Sequence, residues 1–93
     1  MTVLGDQEIE QRLAGGEWRR QPQGVIAREW AFADFRAAID FVERVAEVAE
    51  SANHHPDILV HGWNKVRLEL STHSEGGITE ADLALAGSLD QLA

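Results

Sequence analysis

The chain has 93 residues, 44% of them hydrophobic and 26% charged, which is typical of a globular protein with room for one modest core. Sixteen acidic side chains against eight basic ones leave a net charge of −8. Nucleic acids and anionic membranes are bound through clustered basic residues, so neither is expected as a partner. The lack of cysteine excludes disulfides, thiolate nucleophiles and cysteine-ligated zinc. We therefore predict one domain over residues 1–93.

The N-terminal sequence has neither the basic start nor the apolar run of a signal peptide. Further along the sequence, no apolar stretch approaches the roughly 20 residues that span a bilayer. These patterns predict a cytoplasmic protein.

The first predicted element is a short helix over residues 6–14, in which Ile9 and Leu13 share one face and a glycine pair supplies the stop. Two strands are predicted next, over residues 17–20 and 25–32. The Gln-Pro-Gln-Gly sequence between them is typical of a turn, because proline pre-sets one dihedral angle and glycine tolerates another. The first third of the chain is therefore expected to form a helix followed by a β-hairpin.

Asp34 is the predicted N-cap of a long helix that ends near Ala52. The apolar residues of this helix recur with the helical period and would face a core; they are Phe35, Ala38, Ile39, Val42, Val45, Ala46 and Ala49. Pro56 disfavours helical geometry at the residue before it, so the helix must end ahead of the next strand.

Two further strands are predicted over residues 57–61 and 64–72, with Gly62 in the turn between them. Apolar and polar residues alternate in the second of these strands, so one of its faces would be buried. Thr79 is predicted to cap the last helix, and Asp82 three residues later completes a capping-box pattern.

The order helix-strand-strand-helix-strand-strand-helix predicts an α+β two-layer sandwich, in which helices cover one face of an antiparallel sheet. Exposed strand edges and a bare sheet face need cover in so small a domain. The chain is therefore expected to form a homo-oligomer.

All four histidines lie in the window from His54 to His73. His54 and His55 occupy the joint between the long helix and a strand, which Pro56 stiffens, and His73 follows the last strand. If the last two strands are antiparallel neighbours, the joint and His73 meet at the same edge of the sheet. Imidazoles held together there suit proton transfer near neutral pH. His61 lies beside a turn and is assigned no role.

Other chemistries fit the pattern less well. Three histidines and a water form some catalytic zinc sites, but adjacent histidines rarely reach one ion and the sequence has no His-x-x-x-His pair. It also has no Gly-x-Ser-x-Gly, P-loop or dinucleotide-binding motif. Acid–base catalysis without a metal is therefore favoured, with a metal-dependent hydrolase as a distant alternative.

Four segments carry a specific arrangement of these residues; they are 50–56 (ESANHHP), 63–66 (WNKV), 70–73 (LSTH) and 77–83 (GITEADL). Two looser ones lie upstream, at 16–18 (GEW) and 30–35 (WAFADF). Together they resemble the pterin-4a-carbinolamine dehydratase family over nearly the whole chain.

The resemblance implies a four-stranded antiparallel sheet with three helices on one face, assembled as a homodimer or homotetramer. It implies loss of water from a 4a-hydroxytetrahydropterin to give the quinonoid dihydropterin, a step of tetrahydropterin recycling that needs no cofactor. His54, His55 and His73 would surround the pterin, with His54 and His73 as the proton-transfer pair. Family members also act as a dimerisation cofactor of a homeodomain transcription factor or as assembly factors, so a non-enzymatic binding role is the alternative.

The resemblance also points to three candidates for substrate binding. Glu50 matches an acidic position before the family's His-His-Pro and would hold a pterin N–H or orient a histidine, although a solvated residue of the last helical turn fits equally well. Asp82 matches an acidic position near the site, although its capping role also explains it. Trp18 would stack near the pterin or fill the core, and the core is the favoured interpretation.

Overall fold

The computed structural model of the chain describes residues 2–93. Its helices and strands follow one another in the predicted order; they are α1 (Asp6–Leu13), β1 (Arg19–Gln21), β2 (Val25–Ala31), α2 (Phe35–Ala52), β3 (Asp57–His61), β4 (Lys65–Leu70) and α3 (Glu80–Asp90). One turn of 3₁₀ helix, His73–Glu75, separates β4 from α3. Within residues 2–93, no helix is both long enough and apolar enough to cross a membrane.

The strands form one antiparallel sheet in the order β1-β2-β4-β3. β2 and β4 are therefore central, and β1 and β3 are the edges. Three helices pack on one face of this sheet, which confirms the predicted α+β two-layer sandwich. The pairing of β3 with β4 sets Asp57 opposite Glu69, so the start of β3 and the end of β4 lie side by side.

Residues of β4 alternate between the two faces of the sheet. Val66, Leu68 and Leu70 are fully buried beneath the helices. Arg67 and Glu69 on the opposite face are partly exposed and form an ion pair at 2.9 Å. The face away from the helices, called the polar face below, therefore carries polar residues along β4, as the alternation of the sequence predicts.

Helix α2 covers the apolar face. Asp34 caps it as predicted, with Oδ1 accepting a hydrogen bond of 2.8 Å from the backbone N–H of Ala37. The residues of α2 that are buried are Ala38, Phe41, Val45 and Ala49. Phe41 is absent from the predicted stripe, and Phe35, which belongs to it, is 55% exposed. Phe35 is the first residue of α2 and lies at the margin of the buried row rather than within it.

Two strand boundaries differ from the prediction by two residues, and the other strand boundaries agree to within one. β1 begins at Arg19, two residues later than predicted, because Trp18 enters the core before the strand starts. β4 ends at Leu70, two residues earlier than predicted. The cause is a loop closure, in which the Thr72 N–H donates to the Gly77 carbonyl at 2.9 Å instead of continuing the ladder.

A two-pronged ion pair attaches α1 to the start of α3, with Arg12 donating to both carboxylate oxygens of Glu80 at 2.7 and 3.0 Å. These hydrogen bonds outweigh desolvation and lower the pKa of Glu80 below its ordinary value of 4.5. Such a carboxylate stabilises the folded state above its ordinary pKa, and its contribution is lost as the pH falls through the lowered value. We expect amide protection factors in α1 to fall between about pH 5 and pH 3. Glu80→Gln should have low protection at both pH values, and a fall as large as that of the wild type in this variant would contradict the assignment.

Candidate active site

The joint between α2 and β3 begins with a left-handed residue. Asn53 has φ 51°, a conformation that asparagine tolerates better than most residues, and its backbone N–H caps the end of α2. The His54 N–H then donates to the Ala49 carbonyl at 3.2 Å. This reversal ends the helix and places His54, which is only 18% exposed in its side chain, against α3.

His54 is paired with a buried carboxylate. Its Nε2 lies 2.6 Å from Oδ1 of Asp82, whose side chain is fully buried. The other oxygen of Asp82 accepts hydrogen bonds from the Thr72 hydroxyl at 2.7 Å and from the Thr79 N–H at 2.8 Å. An ionised carboxylate can only accept, so with Asp82 ionised Nε2 of His54 is the donor in this contact and Nδ1 is the ring nitrogen that does not face Asp82.

Asp82 has two structural roles at once. It completes the capping box of α3 with Thr79, as predicted. It also joins the two loops that flank the candidate site, through His54 on one side and Thr72 on the other. The capping role therefore does not exclude a role in the site.

His55 is held differently. Its Nε2 lies 2.6 Å from Oε2 of Glu50, and the two side chains are 55% and 77% exposed. The contact is compatible with Glu50 orienting a histidine, and the exposure of Glu50 is compatible with the solvated alternative, so its role stays a prediction. A contact so open to solvent adds little to the stability of the fold.

His73 is the first residue of the 3₁₀ turn and is exposed. Its neighbour Thr72 is buried and bound to Asp82, which in turn binds His54. His54 and the residue preceding His73 are therefore two hydrogen bonds apart. Together with the β3–β4 register, this places His54, His55 and His73 at one end of the sheet.

Trp18 lies elsewhere. It is 4% exposed, packs edge-on against Trp30 and donates its indole N–H to Asp90 at 2.8 Å. Asp90 is eight residues after Asp82 on α3, about 12 Å along the axis at 1.5 Å per residue. The structure therefore places Trp18 in the core and does not bring it to the histidines.

Sequence reasoning missed Thr72 as the link between the histidines, although the Thr-His pair stands in one of the quoted segments. It also left out the contact of His61 with Glu29, at 2.6 Å on the polar face of the sheet.

Within residues 2–93, no three side chains of the metal-binding types are grouped to hold an ion.

Residues 2–92 match the sequence model of a family described as pterin 4 alpha carbinolamine dehydratase. The chain belongs to this family. A Metallosphaera sedula protein, provisionally named a pterin-4-alpha-carbinolamine dehydratase, is 46% identical over 92 residues, covering 99% of this chain and 95% of that protein. The family resemblance predicted from the four segments is thus confirmed.

Two solved structures of similar proteins extend the comparison. A transcriptional coactivator/pterin dehydratase from Brucella melitensis has a TM-score of 0.92 and 32% identity and covers 99% of both chains. A pterin dehydratase-like protein identified as a RuBisCO assembly factor in the alpha-carboxysome has a TM-score of 0.72 and 26% identity, covering 85% of this chain and 92% of that one. The dehydratase family therefore shares this fold across proteins with different names.

Proposed function

We propose that this chain removes water from a 4a-hydroxytetrahydropterin to give the quinonoid dihydropterin, as a step of tetrahydropterin recycling. The observation that carries the proposal is the pairing of His54 with buried Asp82, next to the Thr72–His73 segment, in a member of the dehydratase family. We assign the proton transfers to His54 and His73, and give His55 the role of a second acid–base or orienting group.

The chemistry needs only proton transfer. The C4a–O bond breaks as the hydroxyl takes a proton from an imidazolium and leaves as water. A neutral imidazole takes the proton from N5, whose bonding electrons form the C4a=N5 double bond. No electrons are gained or lost overall, and the two imidazoles exchange their protonation states. Imidazoles can fill both roles near neutral pH, where general acid–base catalysis contributes about 10²–10⁴ in rate.

The direct test is to generate the 4a-hydroxytetrahydropterin with a hydroxylase and to follow its dehydration by absorbance. We expect the purified chain to accelerate the reaction and His54→Ala to lose most of the acceleration. Dehydration at the uncatalysed rate in the presence of wild-type protein would refute the proposal.

A non-enzymatic role in protein binding or assembly is the second candidate. It is favoured by the similarity to the structure identified as a RuBisCO assembly factor. Packing alone gives no reason to keep a solvent-exposed histidine such as His73 beside the His54–Asp82 pair, so the dehydratase is the better supported of the two. The same assay separates them, because a binding role alone predicts no acceleration by the wild-type protein.

We also propose that the chain forms a homo-oligomer through the free edge of β3. On this edge Ile58 and Leu59 are 40% and 53% exposed. If a second copy pairs antiparallel about Leu59, apolar residues meet apolar ones and Asp57 lies opposite His61 of the partner subunit, an acidic group facing a basic one. This self-complementary register makes a second copy the fitting occupant of the edge.

Light scattering tests this surface. We expect a mass of at least twice 10.3 kDa for the wild type, and half the wild-type mass for Leu59→Glu, which would place two carboxylates together. Phe35→Glu is the matched control, because Phe35 is equally exposed but lies on α2. A monomeric wild type, or equal masses for wild type and Leu59→Glu, would refute the proposed edge.

A further inference from the structure

The segment that carries His73 is a closed loop. The Thr72 carbonyl accepts hydrogen bonds from the N–H groups of Glu75 and Gly76, both at 2.9 Å. The Thr72 N–H in turn donates to the Gly77 carbonyl. Residues 72–77 therefore hold one another in place, and a displacement of Gly77 is passed directly to Thr72 and to His73 beside it.

One side of this loop faces the candidate site. Thr72 and Thr79, on either side of the turn, both bind the Oδ2 atom of Asp82. Asp82 holds His54 through its other oxygen. The position of the loop therefore decides the geometry of His54 and His73 together.

The opposite side of the loop rests on the turn between β1 and β2. Gly24 in this turn has φ +69°, and a Cβ added to it would lie 3.0 Å from the Cα of Gly77 and 3.4 Å from the carbonyl oxygen of Gly76. These neighbours are backbone atoms, which cannot rotate away as a side chain can. Only glycine lets the turn approach the loop so closely.

The N-terminal segment supports the same loop. The Leu4 N–H donates to the Ile78 carbonyl at 2.8 Å. A Cβ added to Gly77 would lie 2.8 Å from Cγ1 of Val3, the residue before Leu4. The loop is thus enclosed by two segments that are distant from it in the sequence.

We propose that Gly24 is a positioning residue of the candidate active site. Its missing side chain lets the β1–β2 turn rest against Gly77 and so sets where Thr72 and His73 lie relative to His54. This inference rests on the proposed function of the two histidines. It adds a residue that acts on the site through the loop rather than by touching the substrate.

Gly24→Ala tests the inference against Gly15→Ala. Gly15 also has a left-handed φ, +80°, but an added Cβ meets no atom within 4 Å there. Both variants place alanine at a left-handed φ, and only Gly24→Ala pushes on the loop. We expect kcat to fall about tenfold in Gly24→Ala and to stay within about twofold in Gly15→Ala, because small misplacements of catalytic groups cost this much or more.

The imidazole nitrogen shifts of His73 and His54 should also change in Gly24→Ala alone. Equal kinetics and equal shifts in the two variants would overturn the inference.

A second pair of variants keeps the test decisive if Gly24→Ala does not fold. Gly77→Ala brings its Cβ against Val3 Cγ1, whereas Val3→Ala/Gly77→Ala removes that contact and leaves only the Val3 Cβ at 3.9 Å. We expect the first variant to lower kcat and shift the His73 resonances, and the double variant to restore both. A wild-type kcat in Gly77→Ala, or no rescue in the double variant, would count against the loop as the means of positioning.

The imidazole shifts separate this inference from the proposed function. If the wild type does not accelerate dehydration, the proposed function fails, while the shifts of His73 and His54 still report whether Gly24 sets their positions. If the wild type is active and the Gly24→Ala shifts match those of Gly15→Ala, only the positioning role fails.

Discussion

Asp82→Asn is expected to lower kcat for dehydration about a hundredfold or more, with a smaller change in KM. The Oδ2 position of Asp82 accepts from Thr72 and Thr79, so the amide oxygen of the asparagine must take that place. The amide NH₂ then faces Nε2 of His54 as a donor, and His54 is forced into the tautomer that protonates Nδ1. Nδ1 could then not accept a proton from the substrate, and the doubly protonated imidazolium could no longer form beside the amide, so His54 would fail both as a base and as an acid.

Steady-state kinetics and the imidazole nitrogen spectrum of His54 check this expectation together. Asp34→Asn is the matched control, because it makes the same exchange near the start of α2, where Asp34 is an exposed N-cap away from the histidines. A normal kcat in Asp82→Asn, with its capping box intact, would show that the carboxylate serves the helix alone.

His73→Gln is expected to lower kcat about 10²- to 10⁴-fold, the range that general acid–base catalysis contributes. Glutamine keeps a polar side chain of similar length but does not titrate, so it removes the proton transfer while preserving the surface. Because His73 is exposed and follows the anchored Thr72, we expect the melting temperature to remain close to that of the wild type.

His61→Gln provides the comparison. His61 is also bound to a carboxylate, Glu29, but lies at the far end of β3 on the polar face of the sheet. Its kcat should stay near that of the wild type, and the pH–rate profile should lose a limb only in His73→Gln. Equal losses in the two variants would mean that charge on this surface, rather than proton transfer by His73, controls the rate.

Part of the site could be predicted from the sequence. The Asn-His-His-Pro and Thr-His elements predicted which imidazoles matter, and antiparallel pairing of the last two strands predicted that they meet at one end of the sheet. The pattern at Thr79 and Asp82 predicted the capping box, which the structure confirms. The catalytic and substrate-binding roles assigned to these residues stay predictions until the variants are measured.

Trp18 and Phe41 illustrate what the sequence left open. A tryptophan near a predicted strand is consistent with a ligand contact as well as with the favoured core position, because its indole suits both. The packing of α3 decides between these positions for Trp18, because Asp90 on α3 accepts a hydrogen bond from the indole N–H. Phe41 lay outside the predicted stripe because the helical period defines a row of residues but does not say which neighbouring row turns toward the sheet.

The sequence by itself determined the order of the elements, the caps of α2 and α3 and the candidate histidines, because helical and strand periods and capping patterns depend on residues within a few positions of one another. The tertiary structure alone decided that Asp82 binds His54, 28 residues away, and Thr72 with its other oxygen. It also decided that Gly24 supports the loop of His73. These contacts depend on how α3 and the β1–β2 turn pack around the end of β4, and no local pattern encodes that packing.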